Sequence, residues 1–240
     1  MNITIITIKH NDLVLIESAH VKMISFNNSF EKKFILDEIS YINENIDFES
    51  FYMDIIYFKI EVIRRDENKS LLYDFNFRIE DFTRVEDKII ANGIPIISYD
   101  GANYNQHVID IFTSWSKNLN VDFLNLSKEE KLAYNSCCRL WNIANKLNSK
   151  FYYIDLTLVK SDIDLFNLVG DLLLGPRGYM GYDSYTFEDR LKMIIGNIED
   201  LTIIKIKNYQ NLKLTVDPNE WKYINKTFRQ EYRNLVFVID

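Results

Sequence analysis

The sequence predicts a two-part α+β protein. Residues 1–148 are expected to form an α+β domain, because apolar and polar residues alternate in Ile55–Arg64 and again in Leu71–Ile79. That pattern, with turn residues between the two runs, is typical of an antiparallel hairpin with one wet face. Residues 151–240 alternate strand-like with helix-like segments, which predicts a small α/β domain with a three-stranded parallel sheet and flanking helices.

The first domain contains several further elements. Ile3–Ile8 and Leu13–Ile16 favour short strands, whereas Phe30–Tyr41 fits either a strand or a helix. Ser127 with Glu130 three residues later is a capping box, which predicts a helix start. The other predicted elements are a strand at Ile89–Ser98, a helix at Tyr104–Leu119 and the capped helix from Ser127 to about Leu147. The polar residues 148–150 then mark the expected domain boundary.

The second domain opens with Phe151–Val159, a nearly continuous apolar run that predicts a strand covered on both faces. Ser161 is the expected N-cap of the following helix, and Gly175 with Pro176 ends it. The remaining predicted elements are a helix capped by Asp183 or Ser184 that buries Phe187, Leu191, Ile194 and Ile195, a strand at Leu201–Lys207, a helix from Asp217 through Phe228, and a strand at Leu235–Ile239.

Composition narrows the classes of function. The chain is 47% hydrophobic and 14% aromatic, enough for a sizeable core. Its net charge of −7 disfavours general nucleic-acid binding, which needs clustered Lys and Arg, and favours a basic protein partner. Only 7 Gly and 3 Pro occur, without a Gly-rich phosphate loop, a dinucleotide fingerprint or a Gly-framed serine elbow, so we expect no nucleotide cofactor.

Targeting and redox signals are weak. No stretch approaches the roughly 18 apolar residues typical of a membrane span, and Met1–Ile8 lacks the basic start of a secretory signal. We therefore expect a cytoplasmic protein without membrane contact. Cys137 and Cys138 are adjacent, and neighbouring helical side chains point about 100° apart, which favours two core thiols over the alternative of a redox pair.

One segment, residues 179–191, carries the most specific signal for function. Tyr185 and Asp189 are four residues apart and should share the exposed face of a helix, opposite the buried stripe. Aromatic side chains beside a carboxylate are typical of binding hot spots. Glu188 has the alternative role of pairing with Lys192 on the same helix. The predicted partner-binding residues are Tyr179, Gly181, Tyr182, Asp183, Tyr185, Glu188 and Asp189.

The order of elements in residues 151–240 resembles the barstar family, the intracellular inhibitors of barnase-type ribonucleases. The loop and helix carry the match at Tyr179, Gly181, Asp183, Phe187, Asp189 and Leu191. The resemblance implies that Asp189 enters a nuclease active site in place of a substrate phosphate. Tyr185 stands where the family has its first helix aspartate, and Glu188 where it has tryptophan. These departures predict a target other than a close relative of barnase.

The leading hypothesis is an immunity or inhibitor protein, not an enzyme, that occludes the active site of a cognate toxin, a basic ribonuclease. Direct contact with nucleic acid is not expected. One alternative is a metal-dependent hydrolase that uses His107, Asp110 and nearby carboxylates. Another is a non-catalytic assembly module that pairs through the hairpin edge Leu71–Glu80. The oligomeric state stays open.

Overall fold

The computed structural model describes residues 2–10, 13–25, 32–45, 47, 55–63, 69–96, 105–141, 147 and 149–240. The chain forms two compact units, Met1–Val121 and Asp122–Asp240. The division lies upstream of the expected boundary near residue 150, because the capped helix that begins after Ser127 packs within the second unit. The turn predicted inside the hairpin lies outside the described residues.

The first unit is built on six strands that close into an antiparallel barrel in the order β1-β2-β3-β6-β5-β4. The predicted hairpin is confirmed as the pair β4–β5. The segment that fitted either a strand or a helix is the strand β3. The strands are β1 Asn2–His10, β2 Leu13–Ser25, β3 Lys32–Ile42, β4 Ile55–Ile63, β5 Lys69–Val85 and β6 Lys88–Ile96.

Buried side chains of β1, β2, β3, β5 and β6 supply the described core of this unit. Phe34 and Phe77 are fully buried, and their rings meet edge to face with centroids 4.6 Å apart. The helix α1, Gln106–Ser116, packs against β1 and β2 through an apolar stripe that includes Phe112 and Trp115. Asn105 caps α1 by accepting from the backbone amides of His107 and Val108.

The second unit contains a three-stranded sheet in the order β7-β8-β9 with both pairs parallel, so the mixed α+β layout with a separate parallel sheet is confirmed. Its elements are α2 Lys128–Trp141, β7 Phe151–Asp155, α3 Asp162–Leu174, α4 Ser184–Ile195, β8 Thr202–Lys207, α5 Gln210–Thr215, α6 Pro218–Arg229 and β9 Leu235–Ile239. Of these, α5 was not predicted. Among the helices of the described ranges, none has the length and apolar character needed to cross a bilayer.

The expectation that the first strand of this sheet is covered on both faces is wrong. β7 ends at Asp155, and its side chains alternate between buried and exposed. Tyr152 and Ile154 belong to the core, whereas Phe151 is 57% and Tyr153 46% exposed. The apolar run misled because a one-sided strand with aromatic residues on its open face has the same composition as a strand buried on both faces.

Candidate functional site

The predicted partner-binding segment follows α3 and leads into α4. Gly175 ends α3 in a left-handed conformation with φ of 83°, as the Gly-Pro pair predicted. Asp183 caps α4, because its carboxylate accepts the Thr186 amide at 2.7 Å. The Thr186 hydroxyl oxygen accepts the amides of Tyr182 at 3.0 Å and Asp183 at 3.2 Å, which completes a capping box. The start of α4 is therefore tied to the loop before it.

An exposed stripe runs along α4 and the last loop residues. Tyr182 is 56% exposed, Tyr185 70% and Met193 61%, and Asp189 is exposed between them. Positions 185, 189 and 193 are one helical turn apart, so their side chains share a face opposite the buried Phe187. We call Tyr182, Tyr185, Asp189 and Met193 the α4 surface. Met193 was not foreseen, although the four-residue spacing from Asp189 would have indicated it.

Two predicted contact residues are buried instead. Tyr179 is 8% exposed, and the guanidinium of Arg190 lies 5.0 Å from its ring centroid. Burial raises the pKa of Tyr179, while Arg139 and Arg190 oppose that shift. Gly181 is also buried, with φ of +116°. Both residues shape the loop from inside and are not part of the α4 surface.

Glu188 pairs with Lys192 at 2.7 Å across one turn of α4. Its side chain is only 15% exposed, whereas that of Lys192 is 50% exposed. This geometry corresponds to the structural alternative for Glu188. Asp189 is therefore the exposed carboxylate of α4, and the nearby Lys192 is already paired with Glu188.

The loop lies directly against α3 where two glycines meet. A Cβ atom added to Gly170 would come within 2.2 Å of the Gly178 carbonyl oxygen, and one added to Gly178 would come equally close to that of Gly170. Only hydrogen fits at both positions. Gly170 lies inside a helical pattern of the sequence, and a glycine at such a position often indicates close packing against another segment.

Side chains from α2 and α3 hold the two ends of the loop. Asp171 on α3 accepts the amide of Arg177 at 3.0 Å. Asn135 on α2 donates its Nδ2 proton to the carbonyl oxygen of Gly181 at 2.9 Å, and this bond is buried. Sequence reasoning missed Asn135, since nothing in a helical pattern predicts a bond to a residue 46 positions away.

A buried polar cluster surrounds the first of these anchors. Burial raises the pKa of Asp171 to about 6, although the amides of Arg177 and Gly178 lower it. Burial also raises the pKa of Tyr134 and of Cys138 well above their usual values, so both are neutral at physiological pH. Arg177 lies 4.7 Å from the ring centroid of Trp141. The expected core location of the cysteines is confirmed, since Cys137 and Cys138 are buried, free thiols.

The residues of the two alternative functions lie in the first unit. Asp110 is 3.8 Å from His20, which in turn binds Asp37 at 3.0 Å, so the histidine that faces Asp110 here is His20. Over the described ranges, no three His, Cys, Asp or Glu side chains group in a way that could hold a metal ion. The segment Leu71–Glu80, predicted as a hairpin edge, belongs to β5. It is not a sheet edge, because β5 lies between β4 and β6.

The α4 surface thus presents two phenol rings, one thioether and one carboxylate from a rigid helix and its capped start. Such a surface can bury aromatic area against a partner and place a negative charge among its cations. Comparisons of the chain with protein-family models, with curated proteins and with solved structures find no match.

Proposed function

We propose that this protein is an immunity protein that binds a cognate ribonuclease toxin and occludes its active site. The single observation that carries the proposal is the α4 surface. Tyr185 and Asp189 are exposed together on one helix face, and Tyr182 extends that face from the loop. Their exposure leaves them available to another molecule.

The chemistry of the surface fits a phosphate-binding pocket. A ribonuclease that works without a metal ion holds the phosphate of its substrate with Lys, Arg or His donors. A carboxylate that reaches those donors forms short, charge-assisted hydrogen bonds and takes the place of the phosphate. Asp189 is the exposed carboxylate in the centre of the α4 surface, and the flanking tyrosines can cover the rim of such a pocket.

The architecture of the second unit supports the barstar-like assignment. Its parallel sheet, the crossover through α3 and α4, and the helix α6 before β9 follow the order that the resemblance implies, and α5 is an additional helix. The loop also has a glycine at the matching position, Gly181, which has a positive φ and lies two residues before the cap. Tyr185 in place of an aspartate makes this surface more aromatic and less acidic, which favours a target pocket with fewer cations than that of a barnase relative.

Long-range charge supports the same kind of partner. The chain carries a net charge of −7, which attracts a basic enzyme and accelerates encounter at low ionic strength. The same charge disfavours binding of this chain to RNA. The inhibitor would therefore bind the enzyme without itself binding the enzyme's RNA substrate.

The test expresses the proteins encoded by the neighbouring reading frames, selects one that cleaves RNA, and measures how this chain inhibits that cleavage. The native chain should abolish cleavage at equimolar concentration. The double variant Tyr185→Ala/Asp189→Ala should raise the inhibition constant at least about 100-fold, because two hot-spot residues at roughly 2 kcal/mol each are lost.

The matched control is Tyr153→Ala/Glu199→Ala, which also removes one exposed tyrosine and one exposed carboxylate but leaves the four residues of the α4 surface intact. Its inhibition constant should stay within about threefold of the native value. Full protection by the α4 double variant would show that the proposed surface is wrong, and an absence of inhibition by the native chain would show the same of the proposed function.

A further inference from the structure

The loop before α4 is anchored by a helix that lies outside the barstar-like segment 151–240. The donor is Asn135 in the middle of α2, and the acceptor is the carbonyl oxygen of Gly181, at 2.9 Å. Asn135 is 3% exposed, so water does not reach this bond freely. A buried carbonyl without a partner is costly, which makes this one bond a strong constraint on the loop.

The anchored residue is the one from which the α4 surface begins. Gly181 directly precedes Tyr182, and its φ of +116° turns the chain into the cap of α4. A Cβ atom at this position would come within 2.6 Å of the Phe187 amide nitrogen, so the turn is tightly packed against α4. Any shift of the Gly181 carbonyl would therefore move Tyr182 and the hydrogen bonds that begin α4.

The anchor is specific within the contact of α2 with α3. Lys131, one turn before Asn135, pairs with the fully buried Asp164 at 2.7 Å and makes no bond to the loop. These two polar side chains of α2 thus contact different parts of the unit. Lys131 neutralises a buried charge on α3, and Asn135 holds the backbone of the loop.

We propose that Asn135 is a positioning residue that keeps the loop and the α4 surface in a preformed, binding-ready conformation. This inference rests on the proposed function for its biological meaning. Preformed surfaces bind more tightly because less conformational entropy is lost on association. α2 would therefore contribute to inhibition. Asn135 does not contact the partner itself but holds Gly181, which positions Tyr182.

Amide hydrogen exchange of the full chain, followed by NMR, tests the proposal without any partner. Asn135→Leu keeps the number and branching of the side-chain heavy atoms and removes the donor. The amides of Tyr182, Asp183 and Thr186, which the cap protects, should then exchange about tenfold faster. The amides of Ile204 and Ile206 in β8 should keep their native rates.

Two further variants make the result specific. Asn135→Ala removes the same donor and should give the same local increase in exchange rate. An increase in Asn135→Ala but not in Asn135→Leu would show that the effect comes from a cavity and would overturn the proposal. Lys131→Met disturbs the same helix contact without touching the loop and should leave the ratio of loop to β8 exchange unchanged.

An unchanged exchange rate at residues 182, 183 and 186 in Asn135→Leu would overturn the proposal. So would a loop-selective increase in Lys131→Met. Failure of the native chain to inhibit a nuclease would contradict the proposed function instead. It would not alter the exchange rates of residues 182, 183 and 186. The two failures are therefore distinguishable.

Discussion

At the scale of single residues, backbone geometry shapes the α4 surface and its loop as much as side-chain chemistry does. Gly181 has φ of +116° and is packed against the Phe187 amide and the Thr186 hydroxyl. An L-residue is strained at that φ, and no space for a Cβ atom exists there. The residue thus contributes to the surface by allowing the turn, even though it is buried.

Gly181→Ala should lower the free energy of unfolding by about 2–3 kcal/mol, because strain and a steric clash add. The matched control is Gly196→Ala at the end of α4, where φ is −58° and the nearest atoms to an added Cβ lie at 3.5 Å and 3.6 Å. That change should be neutral or stabilise by a few tenths of a kcal/mol. Urea unfolding measures both, and equal effects would contradict the assignment of strain to Gly181.

At the scale of elements, the loop is an extension of the helices that support it. It touches α3 backbone to backbone at Gly170 and Gly178, and it is tied to α3 by Asp171 and to α2 by Asn135. Tyr179 adds an aromatic ring beneath Arg190 of α4. Such a loop has few ways to move independently, which suits the partner-binding role that we propose for the α4 surface.

The Asp171 anchor makes the stability of this unit depend on pH. Its pKa in the folded state, about 6, lies above the ordinary value of 3.8, because burial disfavours the charged carboxylate. The folded protein therefore binds more protons than the unfolded chain between about pH 4 and pH 6. The contribution of Asp171 to stability is largest below pH 4 and is lost as the pH rises through 6.

Asp171→Asn should remove this dependence. Between pH 4 and pH 7 the difference in unfolding free energy between native and variant protein should change by about 2 kcal/mol, after allowance for solvent screening. The variant should gain relative stability as the pH rises, since the asparagine oxygen still accepts the Arg177 amide. Urea titrations at pH steps of about 0.5 measure this. Parallel stability curves for the two proteins would show that Asp171 is not the titrating group.

At the scale of the whole molecule, the second unit starts earlier than the strand–helix alternation indicates. Residues 122–240 form one compact unit, with α2 packed on α3. Lys131 supplies the counter-charge for Asp164, whose side chain is 0% exposed. A buried carboxylate that loses its partner costs about 3–5 kcal/mol.

A fragment of residues 122–240 should therefore unfold at a clearly higher urea concentration than a fragment of residues 149–240. The difference is expected mainly from the apolar contacts of α2, because Asp164 would be open to water in the shorter fragment. Lys131→Met in the longer fragment should lose much of that gain. Equal midpoints for the two fragments would show that α2 does not belong to this unit.

Much of the second unit was predictable because its signals are local. Ser161 and Asp183 cap the helices that they were expected to cap or to share in capping, and Gly175 ends α3. A cap bonds to an amide three residues away, so sequence spacing is enough to find it. The exposed pair Tyr185 and Asp189 was predictable for the same reason, since helical periodicity sets which residues share a face.

The sequence by itself thus determined most of the helices and strands, the caps of α3 and α4, and the acidic character of the chain, but it did not indicate α5 or settle that β3 is a strand. Only the tertiary structure decided that β1 pairs with β4 to close a barrel, that Tyr179 is buried under Arg190, and that Asn135 holds Gly181. These contacts join residues far apart in the chain. Their partners are chosen by packing, and no periodicity within a short window encodes that choice.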